Sequence, residues 1–257
     1  MENGRPFDLS AEVALVTGAA GALGSMAART FARAGARLVL ADLDAARLDA
    51  LAGELRTQQA ARVLARAVDA TDPARVQALV DEAVDAFGFV SVLLNNAGLP
   101  MSKTLMESTP QDWRRVFEVN VIGTVVPTQA CARVMTTRRY GRIVNMSSIA
   151  ARTSVAQRCV YAATKAAVSN MTQSFAVELG PHGITVNAIA PSAVLSDMNR
   201  EQMKTQPQIY RDLLDHTPVG RMCTAQDLQG ALTLLASRES AFINGQTLFV
   251  DGGFTVM

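Results

Sequence analysis

The sequence predicts an α/β fold, a doubly wound parallel sheet with helices on both faces. Short β-branched and leucine-rich runs alternate with amphipathic stretches of helix length. The runs are apolar throughout, as strands buried on both faces are, rather than alternating. Each run stops at polar or glycine residues, and open α/β sheets bind their ligands beyond the carboxyl ends of their strands.

Val13-Ala14-Leu15-Val16 is the first strand, and it runs into Thr17-Gly18-Ala19-Ala20-Gly21-Ala22-Leu23-Gly24 before a helix from Ser25 to Ala34. Glycines at this junction allow a tight turn and a close backbone approach to a pyrophosphate, which the next helix's free N–H groups and dipole favour. Leu38-Val39-Leu40 is the second strand and ends at Ala41-Asp42, 18 residues beyond Gly24. An acid there accepts hydrogen bonds from an adenosine ribose and repels a 2'-phosphate, which favours NAD over NADP; the other reading of Asp42 or Asp44 is a helix N-cap. A helix from Pro73 to Phe87 is punctuated by Asp72 as its cap and Gly88 after its end.

Val92-Leu93-Leu94 ends at Asn95-Asn96, and Ile143-Val144 leads to Ser147-Ser148. A long helix opens near Tyr161. Ile184-Thr185-Val186 leads to Pro191, and Thr247-Leu248-Phe249-Val250 closes the pattern before Asp251-Gly252-Gly253. Between them, residues 195–217 are irregular and read either as a mobile cover over the site or as an ordinary surface helix pair.

The chain has 257 residues, 49% hydrophobic and 18% charged, enough to bury a full core and too apolar for disorder. A net charge of +1 without basic runs offers no footprint for nucleic acid or an anionic membrane, so a small molecule is the expected partner. With no signal-peptide core and no apolar run of membrane-spanning length, a cytoplasmic protein is expected. Cys131, Cys159 and Cys223 are widely spaced and read as reduced thiols, and His182 and His216 are too few and too far apart for a metal site or a histidine-based triad. The whole chain, 1–257, reads as one domain.

The chemistry concentrates in Ser148, Tyr161 and Lys165. Tyrosine and lysine four positions apart share a helix face. Bringing a phenol from pKa 10 towards 7 takes about 4 kcal/mol of preferential phenolate stabilisation, which a nearby ammonium can supply.

Thr17-Gly18 with its glycine loop, Asn95-Asn96-Ala97-Gly98, Asn120, Ser148, Tyr161-x-x-x-Lys165 and Val250-Asp251-Gly252-Gly253, in this order over nearly the whole chain, resemble the short-chain dehydrogenase/reductase family. The resemblance implies a Rossmann-type domain of seven strands, a nicotinamide cofactor, and a homotetramer or homodimer. It assigns Gly18, Gly21, Leu23 and Gly24 to the pyrophosphate, Asp42 with Leu43 to the ribose, and Asp69 with Ala70 to the adenine side. Asn96, Ala97 and Gly98 shape the floor beneath the ribose and nicotinamide, and Pro191, Val194 and Ser196 form the carboxamide loop. Tyr161 becomes the acid/base and Lys165 both depresses its pKa and holds the nicotinamide ribose. Ser148, thirteen residues before Tyr161, orients the reacting oxygen, and Asn120 holds a water in the proton path or, alternatively, marks a helix kink.

Departures from the family pattern are Ala22 where a second loop glycine is usual, Ser192 in place of a Pro-Gly step, Ser196 for threonine, and Ala151 for glycine. The expected activity is NAD(H)-dependent interconversion of a secondary alcohol and a ketone, on a sugar acid, sugar or polyol in the manner of gluconate-dehydrogenase-like members. The alternatives are a 3-oxoacyl-thioester reductase and a non-catalytic nicotinamide-binding regulatory protein. Arg152 and Arg158 flank the active-site loop and either can meet an anionic substrate or simply be solvated. Trp113 and Phe117 read as packing or subunit contact.

Overall fold

The computed structural model describes residues 6–59, 61–153, 156–195 and 207–257. Seven parallel strands form one sheet in the order β3-β2-β1-β4-β5-β6-β7. They are β1 (Val13–Thr17), β2 (Arg37–Asp42), β3 (Val63–Ala67), β4 (Val92–Asn95), β5 (Gly141–Met146), β6 (Ile184–Pro191) and β7 (Thr247–Val250). The connecting helices are α1 (Ala22–Arg33), α2 (Ala45–Gln59), α3 (Pro73–Phe87), α4 (Pro110–Phe117), α5 (Gly123–Arg138), α6 (Cys159–Leu179), α7 (Pro207–Asp215) and α8 (Gln229–Ala236).

Period-two alternation divides each strand between two cores. Ala14 and Val16 of β1, with Leu38 and Leu40 of β2, pack beside Phe31 of α1, Leu48 of α2 and Leu232 of α8. Val13 and Leu15, with Val39 and Leu93, pack on the other face beside Leu79 of α3, Cys131 of α5 and Ala176 of α6. Complete burial of a side chain such as Phe31 contributes about 1.5–3 kcal/mol. Burial on both faces is why β5 and β6 carry no exposed position.

The strand missing from the apolar pattern is β3, an edge strand whose Ala65 is half-buried and whose Arg66 and Ala67 are exposed. Its two faces are only partly covered at the sheet's edge, so it needs no continuous apolar run. Helix α1 starts at Ala22, earlier than expected, because extended Gly21 is its N-cap. Asp72 caps α3 by accepting from the N–H groups of Ala74 and Arg75, and Gly88 ends it at φ 87°.

Strand order reverses between β1 and β4, so the loops after these strands diverge and open a crevice at the carboxyl edge of the sheet. At the opposite edge a cavity of about 240 Å³ is lined by Glu12, Ser91 and Tyr140. There Arg142 and Arg238 stack on Tyr140, which donates to the buried Glu12 carboxylate. No helix among the described residues is long and apolar enough to cross a membrane.

Candidate active site

The crevice begins at the glycine loop. Gly18 has φ +61°, and a Cβ there would lie 2.8 Å from the Ala97 Cα; a Cβ on Gly24 would lie 2.1 Å from the Gly18 carbonyl oxygen. These two glycines hold the β1 and β4 loops against each other. Gly21 is under no such constraint, its nearest neighbour being 3.4 Å away, and Ala22 is exposed in the first turn of α1. No side chain caps α1, so its first N–H groups remain available to an anion.

Asp42 closes this end. One carboxylate oxygen accepts from the Ala20 N–H at 2.8 Å and the other from the Asp44 N–H at 3.0 Å, which ties the tip of β2 to the glycine loop. The α2 cap is Asp44, whose carboxylate accepts from the Arg47 N–H. Leu43 beside it is 73% exposed. Asp69 accepts from both the backbone and the hydroxyl of Thr71, forming the turn after β3 that includes Ala70.

Asn96 donates to the carbonyls of Thr17 and Gly18, while the Thr17 hydroxyl accepts from the N–H groups of Asn96 and Ala97. Thr17, quoted with Gly18 in the sequence motif but given no role there, sets the spacing of the two loops. Gly98 then carries the groove towards the chemistry: a Cβ there would sit 3.5 Å from Asn120 Oδ1 and 3.7 Å from Lys165 Nζ. Pro191 is buried at the end of β6, Leu23 and Val194 pack against the α1-side core, and Val194 bridges to Cys223. Residues 196–206 of the expected cover, Ser196 among them, lie outside the described residues.

An uncapped helix start, a cradle that Cβ atoms would fill and a groove reaching Lys165 fit a nicotinamide dinucleotide. The glycine loop would hold its pyrophosphate, Asp42 its adenosine ribose and Lys165 its nicotinamide ribose.

Ser148, Tyr161 and Lys165 come together after β5. Lys165 is 5% exposed and donates to the Met146 carbonyl at 2.6 Å, with Nζ 5.7 Å from the centre of the Tyr161 ring. Burial pulls the Lys165 ammonium down to about 8. Ser148 accepts from the Ala150 N–H at the start of a 3-10 turn and lies near enough to Tyr161 to favour its phenolate. Ser147 turns away, to the Lys165 carbonyl and Ser169.

The phenol differs from expectation. Burial raises its pKa and outweighs the opposing effects of the Ser148 hydroxyl and the Arg158 charge. Tyr161 is half-buried as a residue, but the surroundings of its hydroxyl penalise a phenolate. The lysine positioned to depress it is itself desolvated.

Asn120 lies in a π-helical turn, Glu118–Ile122, between α4 and α5. Such turns reorient side chains within an otherwise regular helix. Its amide accepts from the Leu99 N–H at 2.6 Å and donates to the Leu99 carbonyl and to Thr164 Oγ1, and its carbonyl accepts from Thr124. Thr164, fully buried, also donates to the Tyr161 carbonyl. Its position beside Lys165 and three residues after Tyr161 was the available signal. A buried chain of Thr128, Asn95, Asn145 and Thr172 clamps β4 and β5 to α5 and α6 below the site.

Trp113 and Phe117 stack with centroids 6.2 Å apart, and the three cysteines are free thiols. No cluster of potential metal ligands occurs among the described residues.

A family model described as enoyl-(acyl carrier protein) reductase matches residues 18–255. The chain belongs to the short-chain dehydrogenase/reductase family. It is 38% identical over 254 residues to galactitol 2-dehydrogenase (L-tagatose-forming) of Cereibacter sphaeroides, covering 97% of each chain. It is 35% identical over 250 residues to gluconate 5-dehydrogenase of Gluconobacter oxydans, again covering 97% of each. The structure of a gluconate 5-dehydrogenase from Burkholderia cenocepacia in complex with NADP and tartrate superposes with a TM-score of 0.91 at 34% identity, covering 98% of both chains. As a short-chain dehydrogenase/reductase, this chain is an oxidoreductase of a family that uses a nicotinamide cofactor.

Proposed function

We propose that this enzyme interconverts a secondary alcohol and a ketone on a sugar acid, sugar or polyol, with NAD as its cofactor and the whole chain acting as one catalytic domain. The observation that carries the reading is the convergence of Ser148, Tyr161 and Lys165 at the end of the groove that starts at Gly18. A bound nicotinamide supplies the hydride acceptor or donor. Tyr161 takes the proton of the substrate hydroxyl during oxidation and returns it during reduction. Ser148 orients the reacting oxygen, and Lys165 stabilises the phenolate and binds the ribose. Asn120, anchored by Leu99 and Thr164, lines the proton path beside Lys165.

Support for NAD comes from Asp42, whose charge at the tip of β2 opposes a 2'-phosphate. The relatives named for galactitol and gluconate support the substrate class. The matching family model is described by an acyl-thioester substrate, the class of a second reading, reduction of a 3-oxoacyl thioester. Apolar side chains left exposed, including Phe242 before β7 and Leu248 within it, support a homotetramer or homodimer.

The test is a rate assay over sugar acids, polyols and hydroxyacyl thioesters with NAD and NADP in parallel, on wild type and Tyr161→Phe. Turnover of a sugar acid or polyol with NAD that Tyr161→Phe abolishes while still binding NADH is expected. Turnover of thioesters alone selects the second reading, and a fully active Tyr161→Phe removes the mechanism.

A further inference from the structure

Four cations lie on the loop after β4, the loop after β5 and the helix that carries Tyr161, and three of them are engaged elsewhere. Lys165 is held by the Met146 carbonyl. Lys103 forms an ion pair with Asp112 at 2.8 Å. Arg152 is exposed and stacks over Phe249, 5.7 Å from its centroid, on the β7 side. Arg158 differs from all three.

Arg158 is the N-cap residue of α6, three positions before Tyr161, in the turn that leads into the helix. It is half-buried, and Nη1 donates to the Met101 carbonyl at 3.3 Å. No carboxylate pairs with it among the described residues. A guanidinium has five N–H donors, and the Met101 bond uses one. Its backbone surroundings are fixed: the carbonyl of the neighbouring Gln157, a residue at φ 63°, accepts from the Lys103 N–H at 2.9 Å, and the Gln157 side chain accepts from Ser102. The loop after β4 and the start of α6 therefore form one wall, with a cation in it that no carboxylate among the described residues neutralises. A half-buried guanidinium without a counterion is the group that a planar carboxylate satisfies best, through two parallel charge-assisted hydrogen bonds.

We propose that Arg158 is a specificity-determining residue that binds the carboxylate of the substrate, so that the enzyme acts on a hydroxy acid in preference to the uncharged polyol of the same length. Arg152, stacked and facing solvent, has no part in this recognition. The inference rests on the alcohol-dehydrogenase reading above and narrows its substrate class. Proximity of the Arg158 charge to Tyr161 agrees with the placement, since that charge opposes the effect of burial on the phenol.

The experiment compares kcat and KM for paired aldonates and alditols of four to six carbons in wild type, Arg158→Gln and Arg158→Lys. Wild type is expected to favour the aldonate. Arg158→Gln should lower the aldonate-to-alditol ratio of kcat/KM by about 10- to 100-fold, through KM for the aldonate, and Arg158→Lys should restore part of it. Taking the ratio separates carboxylate binding from any effect on Tyr161, which slows both substrates alike. An unchanged ratio, or a wild type that prefers the alditol, overturns the proposal while leaving the dehydrogenase reading in place. Absence of turnover for either class with either nicotinamide overturns both. Should the variants fail to fold, the wild type decides: a short dicarboxylate should inhibit alcohol oxidation competitively and its diamide should not, and equal inhibition by the two overturns the proposal.

Discussion

Asn120 Nδ2 donates to Thr164 Oγ1 at 2.9 Å, joining the π-turn between α4 and α5 to the helix that carries Tyr161 and Lys165. The bond crosses 44 residues of sequence within a buried surround, so the angle of α6 and the position of the Asn120 amide are set together.

Thr164→Val keeps the shape of the side chain and removes this acceptor. Asn120 Nδ2 then retains only its longer 3.2 Å bond to the Leu99 carbonyl. Loss of about 1–3 kcal/mol of stability is expected for a buried donor left poorly satisfied. Urea unfolding measures it. Turnover should fall more than cofactor affinity, because the glycine cradle lies on other elements. Wild-type stability in Thr164→Val would show that the bridge contributes nothing.

The two loop glycines predict opposite responses to a methyl group. Gly24→Ala drives a Cβ into the Gly18 carbonyl and the Ala19 backbone, so NADH affinity should fall at least about tenfold and stability by about 1–3 kcal/mol. Gly21→Ala meets nothing closer than 3.4 Å and leaves φ at an ordinary −71°, so both quantities should stay near wild type. Fluorescence titration with NADH separates the cases. The same geometry explains why Ala22 is tolerated: it points outward from the first turn of α1.

Asp42 accepts from two backbone N–H groups in addition to its expected part in ribose binding. Asp42→Ala should therefore weaken NADH binding by about tenfold or more, as hydrogen bonds to a charged acceptor do, while narrowing the gap to NADPH. Parallel titrations with the two dinucleotides on wild type and variant check this. Tighter binding of NADPH than NADH by the wild type would defeat the repulsion argument.

Strands buried on both faces announced themselves as apolar runs, and the glycine loop, Asp42 and the Tyr161–Lys165 pair were legible because their chemistry demands particular residues at fixed spacing. Edge strand β3 was not, since half of its surface faces solvent and carries Arg66. Thr17, Thr164 and Asn145 were equally hidden. Each works through a partner 27 to 80 residues away, and nothing in local spacing distinguishes a threonine that bridges two loops from one on a surface. The polar Asn145 inside an otherwise apolar strand was the faint exception, because a buried amide needs a partner. The contribution of burial to ionisation was the property the chain hid, because burial acts on the phenol and on its lysine alike.

That double burial determines the pH behaviour. With Lys165 pulled down to about 8 and Tyr161 pushed up, the form that prevails at mildly alkaline pH has a neutral amine beside a neutral phenol. A phenolate beside an ammonium, which accepts the alcohol proton, is a tautomer of that form with the same proton count. Its share grows as pH rises through about 8, levels off, and declines only when Tyr161 titrates. Alcohol oxidation by the free enzyme should accordingly show kcat/KM climbing about tenfold per pH unit below 8 and flattening above. Ketone reduction needs both protons and should be flat below about 8 and fall above it. Lys165→Met removes the break near 8 and leaves a slower oxidation that rises through the range where Tyr161 titrates. Stability carries the same signature: with a folded pKa near 8 against an ordinary 10.5, the native chain binds fewer protons than the unfolded one between those values. The contribution of Lys165 to stability therefore improves with rising pH across that window, and Lys165→Met should abolish the gain. An oxidation profile already flat between about pH 6 and 8 would show that neither group titrates where burial places it.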